Sequence, residues 1–493
     1  MKTFDELLKE TKEYGVVNEV KFPIIKCSGL PNVRSDDLVI FETGQHGYVT
    51  SLDQDKVEIV TFSRDIVRPG VKVVRTGERL SIPVDDRFLG KVVTPLIEPI
   101  FHDDLKIDES VERRPVDIEP IKIDRRVRIT RQLYTGVSLV DVMLPLGKGQ
   151  RELVVGDRQT GKTWTLLNFM KTQVKLDSIV IYALIGKEKT EIARMKDFLT
   201  EAGMIKNVIV IATSSDDSPS LITLTPYSAM TMAEYFRDNG KDVLVILDDL
   251  TTHAMYHREI SLLAMRFPGR DSYPGDVFFK HARLLERAGN YNVNGKEAAI
   301  SCLSVAGTIN NRLTGYIVSN LIGITDGHLL FDTELFNRGQ RPSIDLFLSV
   351  TRVGKQTQHK IARALNRELM MMMSKYEEAL DFSHFGAELS DEKKSLLARG
   401  EKVMTFFQQN YTQIIPHPVQ VLILTMLYDE QLEDVSEEDI IKMRDAIVDK
   451  YNKEDGVRKQ IDDLMENSQN FKDYKEKVKS FKSFFNGLWQ QQN

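Results

Sequence analysis

The segment that decides the fold reads Gly156-Asp-Arg-Gln-Thr-Gly-Lys-Thr163. It has the pattern G-x-x-x-x-G-K-[ST] and lies between an apolar run at 152–155 and a helical pattern at 163–173. In this context the backbone N–H groups and the helix N-terminus bind phosphate, and the context argues against a chance glycine-rich turn. The segment therefore predicts a nucleotide site formed by Gly156, Asp157, Arg158, Gln159, Thr160, Gly161, Lys162 and Thr163.

The same pattern assigns chemistry to two of its side chains. We expect Lys162 to reach the β- and γ-phosphates of ATP or ADP, and the Thr163 hydroxyl to bind Mg²⁺. The metal also needs a carboxylate at the carboxyl end of a neighbouring strand, and the run 243–247 is followed by Asp248 and Asp249. Asp248 is the predicted metal residue and Asp249 the alternative, while a helix N-cap or a solvated loop also explains an Asp-Asp pair.

Outward from this loop, apolar runs alternate with helical patterns. Alternation of this kind predicts βαβ units and a parallel sheet that is buried on both faces. The strand-like runs lie at 152–155, 178–184, 208–212 and 243–247, and the helical patterns at 163–173, 190–202 and 227–239. Further strands are predicted at 299–305, 321–331 and 344–350.

In the regions on either side, the apolar residues follow different spacings. Phe4, Leu7 and Leu8 predict a short amphipathic helix, and the β-rich runs with glycine turns that follow predict a small barrel. A charged stretch at 98–126 is typical of a linker or an edge segment, and the sequence is helical after about Lys355. The prediction is a multidomain α/β protein, divided into a helix (1–15), a β-barrel (16–93), a nucleotide-binding domain (94–355) and a helical domain (356–493).

Composition excludes several classes of partner. The formal net charge of −6 gives no global positive field for nucleic acid or for an anionic membrane. Cys27 and Cys302 are the only cysteines and form neither a disulfide framework nor a metal-binding pattern. The sequence starts without a signal-peptide pattern and has no apolar run long enough to span a bilayer. We therefore expect a cytoplasmic protein that associates with a membrane only through partners.

Several motifs together resemble, in order and spacing, the α subunit of F-type ATP synthases. They are the phosphate loop, Asp248-Asp-Leu250, Phe267-Pro-Gly-Arg-Asp-Ser-Tyr-Pro-Gly-Asp-Val-Phe278, Arg283-Leu-Leu-Glu-Arg-Ala288, Ile324-Thr-Asp-Gly327 and Leu348-Ser-Val-Thr-Arg-Val-Gly354. The resemblance implies a β-barrel, a RecA-like nucleotide domain and a helical C-terminal domain. It also implies a hetero-hexamer in which three such chains alternate with three catalytic β-type subunits around a γ-type central stalk, at the cytoplasmic face of the cell membrane. The short N-terminal helix leaves attachment of a peripheral-stalk subunit open.

One position predicts that the chain is not catalytic. In the β-type partners of this family a glutamate just after a strand-ending glycine positions the attacking water, and α-type chains usually carry glutamine there. Here the strand reads Tyr182-Ala-Leu-Ile-Gly-Lys187, and a lysine cannot polarise water as a carboxylate does. Glu188 takes the role only if the loop is shifted by one residue.

The resemblance also assigns residues at the two ends of the nucleotide. Arg352 matches the arginine finger that enters the neighbouring β-type site and stabilises charge on the phosphoryl group, while Ser349 matches a serine needed for activity. A surface salt bridge is the other explanation for Arg352. Arg341 matches the arginine on the adenine side. Gln408 and Gln409 lie near the two adenine-contacting glutamines, but their spacing departs from the family pattern, and exposed helix-end glutamines explain them equally well.

The departures keep alternative functions open. The segment Ala306-Gly-Thr-Ile-Asn-Asn311 differs from the family's usual Ala-Gly-Asp-Val-Ser, which indicates a diverged interface and a specialised paralogue. A proton-coupled ATP synthase is the first hypothesis, and a divergent F-type motor with another mechanical load is the second. A self-sufficient homohexameric ATPase would need an acidic residue where Lys187 stands. A nucleotide-locked scaffold would require Arg352 to be dispensable.

Overall fold

The computed structural model describes residues 3–101, 107–108, 110–384, 390–411, 413–484 and 487. The first strands and helix are α1 (Phe4–Thr11), β1 (Gly15–Lys21), β2 (Ile24–Ser28), β3 (Asp37–Phe41), β4 (His46–Leu52), β5 (Val57–Thr61), β6 (Lys72–Arg79), β7 (Ser81–Pro83), β8 (Val92–Val93) and β9 (Arg113–Pro115). The central elements are β10 (Gln132–Leu133), β11 (Leu146–Gly147), β12 (Arg151–Gly156), α2 (Lys162–Lys175), β13 (Ile179–Lys187), α3 (Lys189–Glu201), β14 (Val208–Ser214), α4 (Pro219–Asp238), β15 (Val243–Asp248), α5 (Leu250–Leu263), α6 (Val277–Leu285), β16 (Gly289–Val293), β17 (Lys296–Gly307), α7 (Tyr316–Ile324), β18 (Gly327–Phe331), α8 (Thr333–Asn337) and β19 (Val350–Thr351). The last helices are α9 (Lys360–His384), α10 (Asp391–Phe407), α11 (His417–Tyr428), α12 (Glu437–Lys453), α13 (Asp455–Glu466) and α14 (Phe471–Ser480).

These elements divide into two compact units. The first contains Met1–Arg128, Asp177–Thr308 and Arg312–Thr325, and the second contains Ile129–Leu176, Ile309–Asn311 and Asp326–Asn493. The phosphate loop therefore lies in the second unit, and Asp248 lies in the first.

The predicted N-terminal barrel is confirmed. Strands β1 to β6 close in the order β1-β2-β5-β4-β3-β6, with antiparallel neighbours. Closure leaves no free sheet edge, and alternate residues point inward. The barrel core includes the buried residues Val17, Ile25, Val39, Phe41, Val49, Ile59 and Val73.

The first unit also holds a parallel sheet, in the order β17-β15-β13-β14-β8. Almost every residue of β13, β14 and β15 is buried. Strands that are buried on both faces carry continuous apolar runs rather than alternating ones. This confirms the parallel sheet that the runs at 178–184, 208–212 and 243–247 predict.

The second unit carries the strand that leads into the phosphate loop and the predicted helical C-terminal domain. Strand β12 pairs in parallel with β18, from Leu153 opposite His328 to Gly156 opposite Phe331, and β18 pairs with the short antiparallel strand β19. Helix α11 is buried along most of its length. In the part of the chain that the structure describes, no helix is long and apolar enough to cross a membrane.

Two predicted strands are wrong in part. The run 321–331 is not continuous, because α7 continues to Ile324 and only Gly327–Phe331 forms β18. In the run 344–350 only Val350 lies in a strand, since the Asp345 carboxylate accepts hydrogen bonds from the backbone N–H groups of Phe347 and Leu348, both at 2.8 Å. Such local side-chain bonds compete with sheet pairing and hold the backbone in a turn.

Candidate nucleotide-binding site

The backbone of the phosphate loop depends on two glycines. Strand β12 ends at Gly156, where a Cβ atom would lie 2.8 Å from the Cβ of Phe331 and would also collide with its carbonyl oxygen. Gly161 has φ +88° and precedes the first residue of α2. A side chain is excluded by space at the first position and strained at the second. The loop therefore turns directly from a buried strand into a helix N-terminus, the geometry that binds phosphate.

The Lys162 ammonium group lies over the loop itself. Its Nζ atom donates to the Gly156 carbonyl oxygen at 2.7 Å and also to that of Asp157. The Thr160 hydroxyl donates to the same Asp157 carbonyl at 2.8 Å. A cation held against a loop of this pattern is suited to an anionic phosphate ligand.

The loop is fixed by residues that are distant in sequence. Both carboxylate oxygens of Asp157 accept the backbone N–H of Asn311 at 3.1 Å, and the Asn311 side chain donates to Asp332 at 2.8 Å. The Ser343 hydroxyl donates to the Thr160 carbonyl at 2.6 Å. Asp157 therefore has a positioning role, and the diverged segment ending at Asn311 contacts the phosphate loop directly.

The remaining loop side chains are more accessible. Arg158 and Gln159 are exposed, and Gln159 has φ +63°. Thr163, the second residue of α2, is half-buried. A threonine hydroxyl at this position fits the first coordination shell of Mg²⁺.

A cavity of about 260 Å³ lies next to the loop. Trp164 and Tyr411, both half-exposed, stand in it with ring centroids 4.3 Å apart. Flat aromatic faces of this kind stack on a nucleobase. The cavity is lined by Val137, Thr160, Gly161, Trp164, Thr165, Asn168, Phe336, Arg341, Pro342, Ser343, Gln409, Asn410 and Tyr411.

Arg341, which the resemblance predicts on the adenine side, lines this cavity. Its guanidinium group lies 3.5 Å from the centre of the Phe336 ring and donates to the Phe336 carbonyl at 2.7 Å. Its backbone N–H donates to the Gln408 side-chain oxygen at 2.9 Å. These contacts fix the arginine, and both Phe336 and Arg341 line the cavity.

The two glutamines differ in their surroundings. Gln409 is buried and lines the cavity, but its side-chain oxygen accepts from the Ser138 N–H at 3.1 Å and its amide donates to the Gln413 carbonyl at 2.8 Å. Gln408 is not among the lining residues. Asn410, which sequence reasoning missed together with Trp164, Phe336 and Tyr411, does line the cavity.

In the first unit, Asp248 is the centre of a buried polar network. Its Oδ1 accepts from the Lys187 ammonium at 2.8 Å and its Oδ2 from the Tyr182 hydroxyl at 2.9 Å. Asp249 caps α5 through the Thr252 N–H at 2.6 Å and lies 3.8 Å from Lys187. Burial alone would lower the pKa of Lys187, but the carboxylates of Asp248 and Asp249 raise it above its usual value.

Arg352 and Ser349 lie at the edge strand β19 and the turn before it. Arg352 is exposed, and its backbone N–H donates to the Asp326 carbonyl at 3.0 Å. Ser349 is buried, and its hydroxyl accepts the backbone N–H of Leu330 in β18 at 2.9 Å. Ser349 thus ties the turn to the sheet and places the exposed arginine at the sheet edge.

The aromatic pair gives a prediction. In a Trp489→Phe background, which leaves Trp164 as the only tryptophan, we expect added ATP to quench the fluorescence of Trp164 by stacking. Tyr411→Ala should weaken ATP binding about tenfold, since one aromatic platform contributes roughly 1–3 kcal/mol to base stacking. Tyr411→Phe, which keeps the ring, should bind as tightly as the parent chain. Unchanged fluorescence at saturating ATP would place the base elsewhere.

The sequence matches two family models. The nucleotide-binding domain of the ATP synthase alpha/beta family matches residues 136–351, and the C-terminal domain of the ATP synthase alpha/beta chain matches residues 358–485. The chain is 39% identical to ATP synthase subunit alpha of Dictyoglomus turgidum over 428 residues, which cover 85% of this chain and 84% of the relative. It is 37% identical to ATP synthase subunit alpha of Clostridium acetobutylicum, with 86% and 84% covered. Identity to ATP synthase subunit alpha 1 of Mycoplasmopsis pulmonis is 35%, with 90% and 84% covered.

Proposed function

This chain belongs to the ATP synthase alpha/beta family, and we propose that it is the non-catalytic, nucleotide-binding α-type subunit of a rotary ATPase head. In this proposal it binds ATP or ADP with Mg²⁺ and donates Arg352 to the catalytic site of a neighbouring β-type subunit. The observation that carries the proposal is the ion pair of 2.8 Å between Lys187 and Asp248, at the position where a catalytic chain has a glutamate.

Lys187 is the wrong group for activating water. A general base must be unprotonated before it accepts a proton, and a pKa raised by two carboxylates keeps Lys187 an ammonium at neutral pH. Glu188, the alternative base, is exposed at the N-cap of α3. Since neither Lys187 nor Glu188 is a suitably placed base, we infer that the chain binds ATP without hydrolysing it at a significant rate.

The nucleotide would be held by residues of the second unit. The N–H groups of residues 156–163 and the Lys162 ammonium would bind the phosphates, while Trp164, Phe336, Arg341 and Tyr411 would surround the base. Bound Mg²⁺ supplies charge neutralisation on the phosphate oxygens. Thr163 would coordinate it directly. Asp248, whose two oxygens already accept hydrogen bonds, remains the proposed carboxylate for the metal.

Lys162 provides a test of nucleotide binding by the isolated chain. We expect Lys162→Ala to raise the Kd for Mg-ATP about thirtyfold, because a charged hydrogen bond to phosphate contributes roughly 1.5–3 kcal/mol. Lys175→Ala, an exposed lysine at the other end of the same helix, is the matched control and should leave the Kd unchanged. The Kd values are measured by equilibrium dialysis. An equal loss of Mg-ATP affinity in both variants would argue against the phosphate-loop assignment.

We further propose the assembly and its coupling. The chain alternates with β-type subunits around a γ-type central stalk, at the cytoplasmic face of the cell membrane, and takes part in ATP synthesis or hydrolysis coupled to proton transport. The similarity to ATP synthase alpha subunits supports the part of this proposal that concerns ATP synthesis. Co-purification of the complex with a membrane ring subunit is the expected result. A complex that contains β-type and γ-type subunits but carries a different load in place of the ring would favour the divergent-motor alternative.

A further inference from the structure

The segment 309–311 contacts the phosphate loop, although its sequence departs from the family pattern. It belongs to the second unit, together with the loop and with α8. The Asn311 backbone N–H donates to both carboxylate oxygens of Asp157 at 3.1 Å. The carbonyl oxygen of Asp157 accepts the Lys162 ammonium group and, at 2.8 Å, the Thr160 hydroxyl. Asn311 is therefore bonded to the loop residue that also holds Lys162 and Thr160.

The backbone of this segment has an unusual conformation. Asn310 has φ +54° and Asn311 has φ +55°, in the left-handed region that asparagine adopts more readily than most residues. Two consecutive residues in this region cost free energy, which contacts elsewhere must offset. Asn310 is exposed and Asn311 is half-buried. Within the part of the chain that the structure describes, the Asn311 side chain forms hydrogen bonds and the Asn310 side chain forms none.

The Asn311 amide reaches the first turn of α8. Its nitrogen donates to Asp332 Oδ2 at 2.8 Å, and its oxygen accepts the Thr333 hydroxyl at 3.1 Å. The carboxylate of Asp332 can only accept, so it fixes the orientation of the amide. Asn311 thus binds the phosphate loop through its backbone and α8 through its side chain.

Helix α8 forms part of the wall at the base end of the site. Asp332 caps the helix by accepting the backbone N–H of Leu335 at 2.8 Å. One turn further along, Phe336 lines the cavity of about 260 Å³. The centre of its ring lies 3.5 Å from the guanidinium group of Arg341. The position of Asp332 therefore affects two side chains that would surround the nucleobase.

We propose that Asn311 is a positioning residue that links the phosphate end of the nucleotide site to its base end. This inference rests on the proposed function of the chain as a nucleotide-binding subunit, and it concerns the selectivity of that site. A ligand with phosphates alone uses the loop, which contacts the backbone of Asn311. A nucleoside triphosphate also uses Phe336 and Arg341, on the helix and turn that the Asn311 side chain holds through Asp332. The side chain therefore favours a complete nucleotide over inorganic polyphosphate.

The charges around Asn311 favour a neutral donor at this position. Its backbone N–H donates to the carboxylate of Asp157, and its amide donates to that of Asp332. Hydrogen bonds to ionised acceptors are roughly twice as strong as neutral ones. The amide joins two carboxylates that repel each other, and it adds no negative charge beside the phosphate site.

Two glycine substitutions test the proposal on the full chain, with Kd values measured by titration calorimetry. Asn311→Gly keeps the backbone N–H and tolerates the positive φ, but it removes the amide that reaches Asp332. We expect the Kd for Mg-ATP to rise about fivefold, because a hydrogen bond to a charged group is lost. The Kd for Mg-tripolyphosphate should stay within about twofold of the parent value. A general loss of structure would weaken the binding of both ligands together.

Asn310→Gly is the matched control, since it changes the neighbouring left-handed residue, and both Kd values should stay within about twofold of the parent values. A second variant covers the case in which Asn311→Gly does not fold, which urea unfolding would reveal. Asp332→Ser keeps a residue that caps helices well but removes the oxygen that accepts from Asn311. It should show the same selective loss of Mg-ATP affinity.

The outcomes separate this proposal from the function on which it rests. If the parent chain binds Mg-ATP, equal changes in the two Kd values of folded Asn311→Gly would overturn the proposal. Unchanged Mg-ATP affinity in both Asn311→Gly and Asp332→Ser would do so as well. So would a parent chain that binds Mg-ATP but not Mg-tripolyphosphate at millimolar concentration, because the phosphate end would then not bind separately. A parent chain that does not bind Mg-ATP would contradict the proposed function itself, and this proposal would fail with it.

Discussion

Replacing Arg352 by alanine is expected to slow ATP hydrolysis by the assembled complex about a thousandfold, the lower end of the effect of arginine fingers on phosphoryl transfer. The side chain is exposed at the sheet edge beside β19, and Ser349 holds the preceding turn against β18. The positive charge of Arg352 acts on the buried Glu152 carboxyl, and at the exposed sheet edge it can also meet developing negative charge on a neighbouring subunit's phosphate. Turnover is measured on complexes reconstituted with wild-type β-type subunits.

Two controls separate catalysis from assembly. Arg367→Ala removes another exposed arginine, in α9, and should leave turnover within about twofold, as is usual for exposed ion pairs. Arg352→Lys keeps the positive charge but loses the planar guanidinium group with its several N–H donors, and should recover only part of the rate. A complex with Arg352→Ala that assembles normally and hydrolyses ATP at the parent rate would leave Arg352 as an ordinary surface residue and favour the scaffold alternative.

The second large effect concerns stability. Arg287→Ala is expected to destabilise the chain by about 3–5 kcal/mol, because it leaves a buried carboxylate without its partner. Arg287 is 1% exposed and its side chain donates to Glu234 at 3.0 and 2.7 Å, to the Val116 carbonyl at 2.8 Å and to the Thr231 hydroxyl at 2.8 Å. Urea unfolding of the isolated chain, followed by circular dichroism, should show an earlier transition.

The neighbouring Arg283 provides the matched control. It lies four residues earlier, is about one-third exposed and contacts Asp117 at 3.2 Å, so Arg283→Ala should cost below about 1 kcal/mol. Replacing Arg287 by Met together with Glu234 by Leu should recover most of the lost stability, since the pair is then removed as a whole. If Arg287→Ala and Arg283→Ala unfolded at similar urea concentrations, the buried pair of Arg287 and Glu234 would not have the expected effect on stability.

The parts of the fold that the sequence predicted are those with local signals. The runs at 178–184, 208–212 and 243–247 are apolar at every position because both faces of β13, β14 and β15 are covered. Strand 344–350 failed because one side chain, Asp345, turns the backbone through its own hydrogen bonds. The motif 283–288 supported the resemblance, but the buried ion pair of Arg287 becomes visible only in the structure.

In the candidate site, too, the residues with a local sequence pattern were predicted and those joined by long-range contacts were not. The phosphate loop is contiguous, so its pattern located it directly. The stacking of Trp164 on Tyr411 joins residues far apart in the chain, and the sequence analysis missed both of them. Contact between Lys187 and Asp248 depends on the register of β13 against β15, which places Leu184 opposite Asp248. Single-sequence reasoning does not determine such long-range register.

The most direct test of the non-catalytic assignment is ATP turnover by the isolated chain, compared with turnover by the complex assembled with β-type and γ-type subunits. We predict saturable Mg-ATP binding but negligible turnover by the chain alone, full activity in the complex, and only a mild loss when this chain carries Lys162→Ala. Turnover by the isolated chain at the rate of the complex, abolished by Lys162→Ala, would contradict the account and make this chain a catalytic motor in its own right.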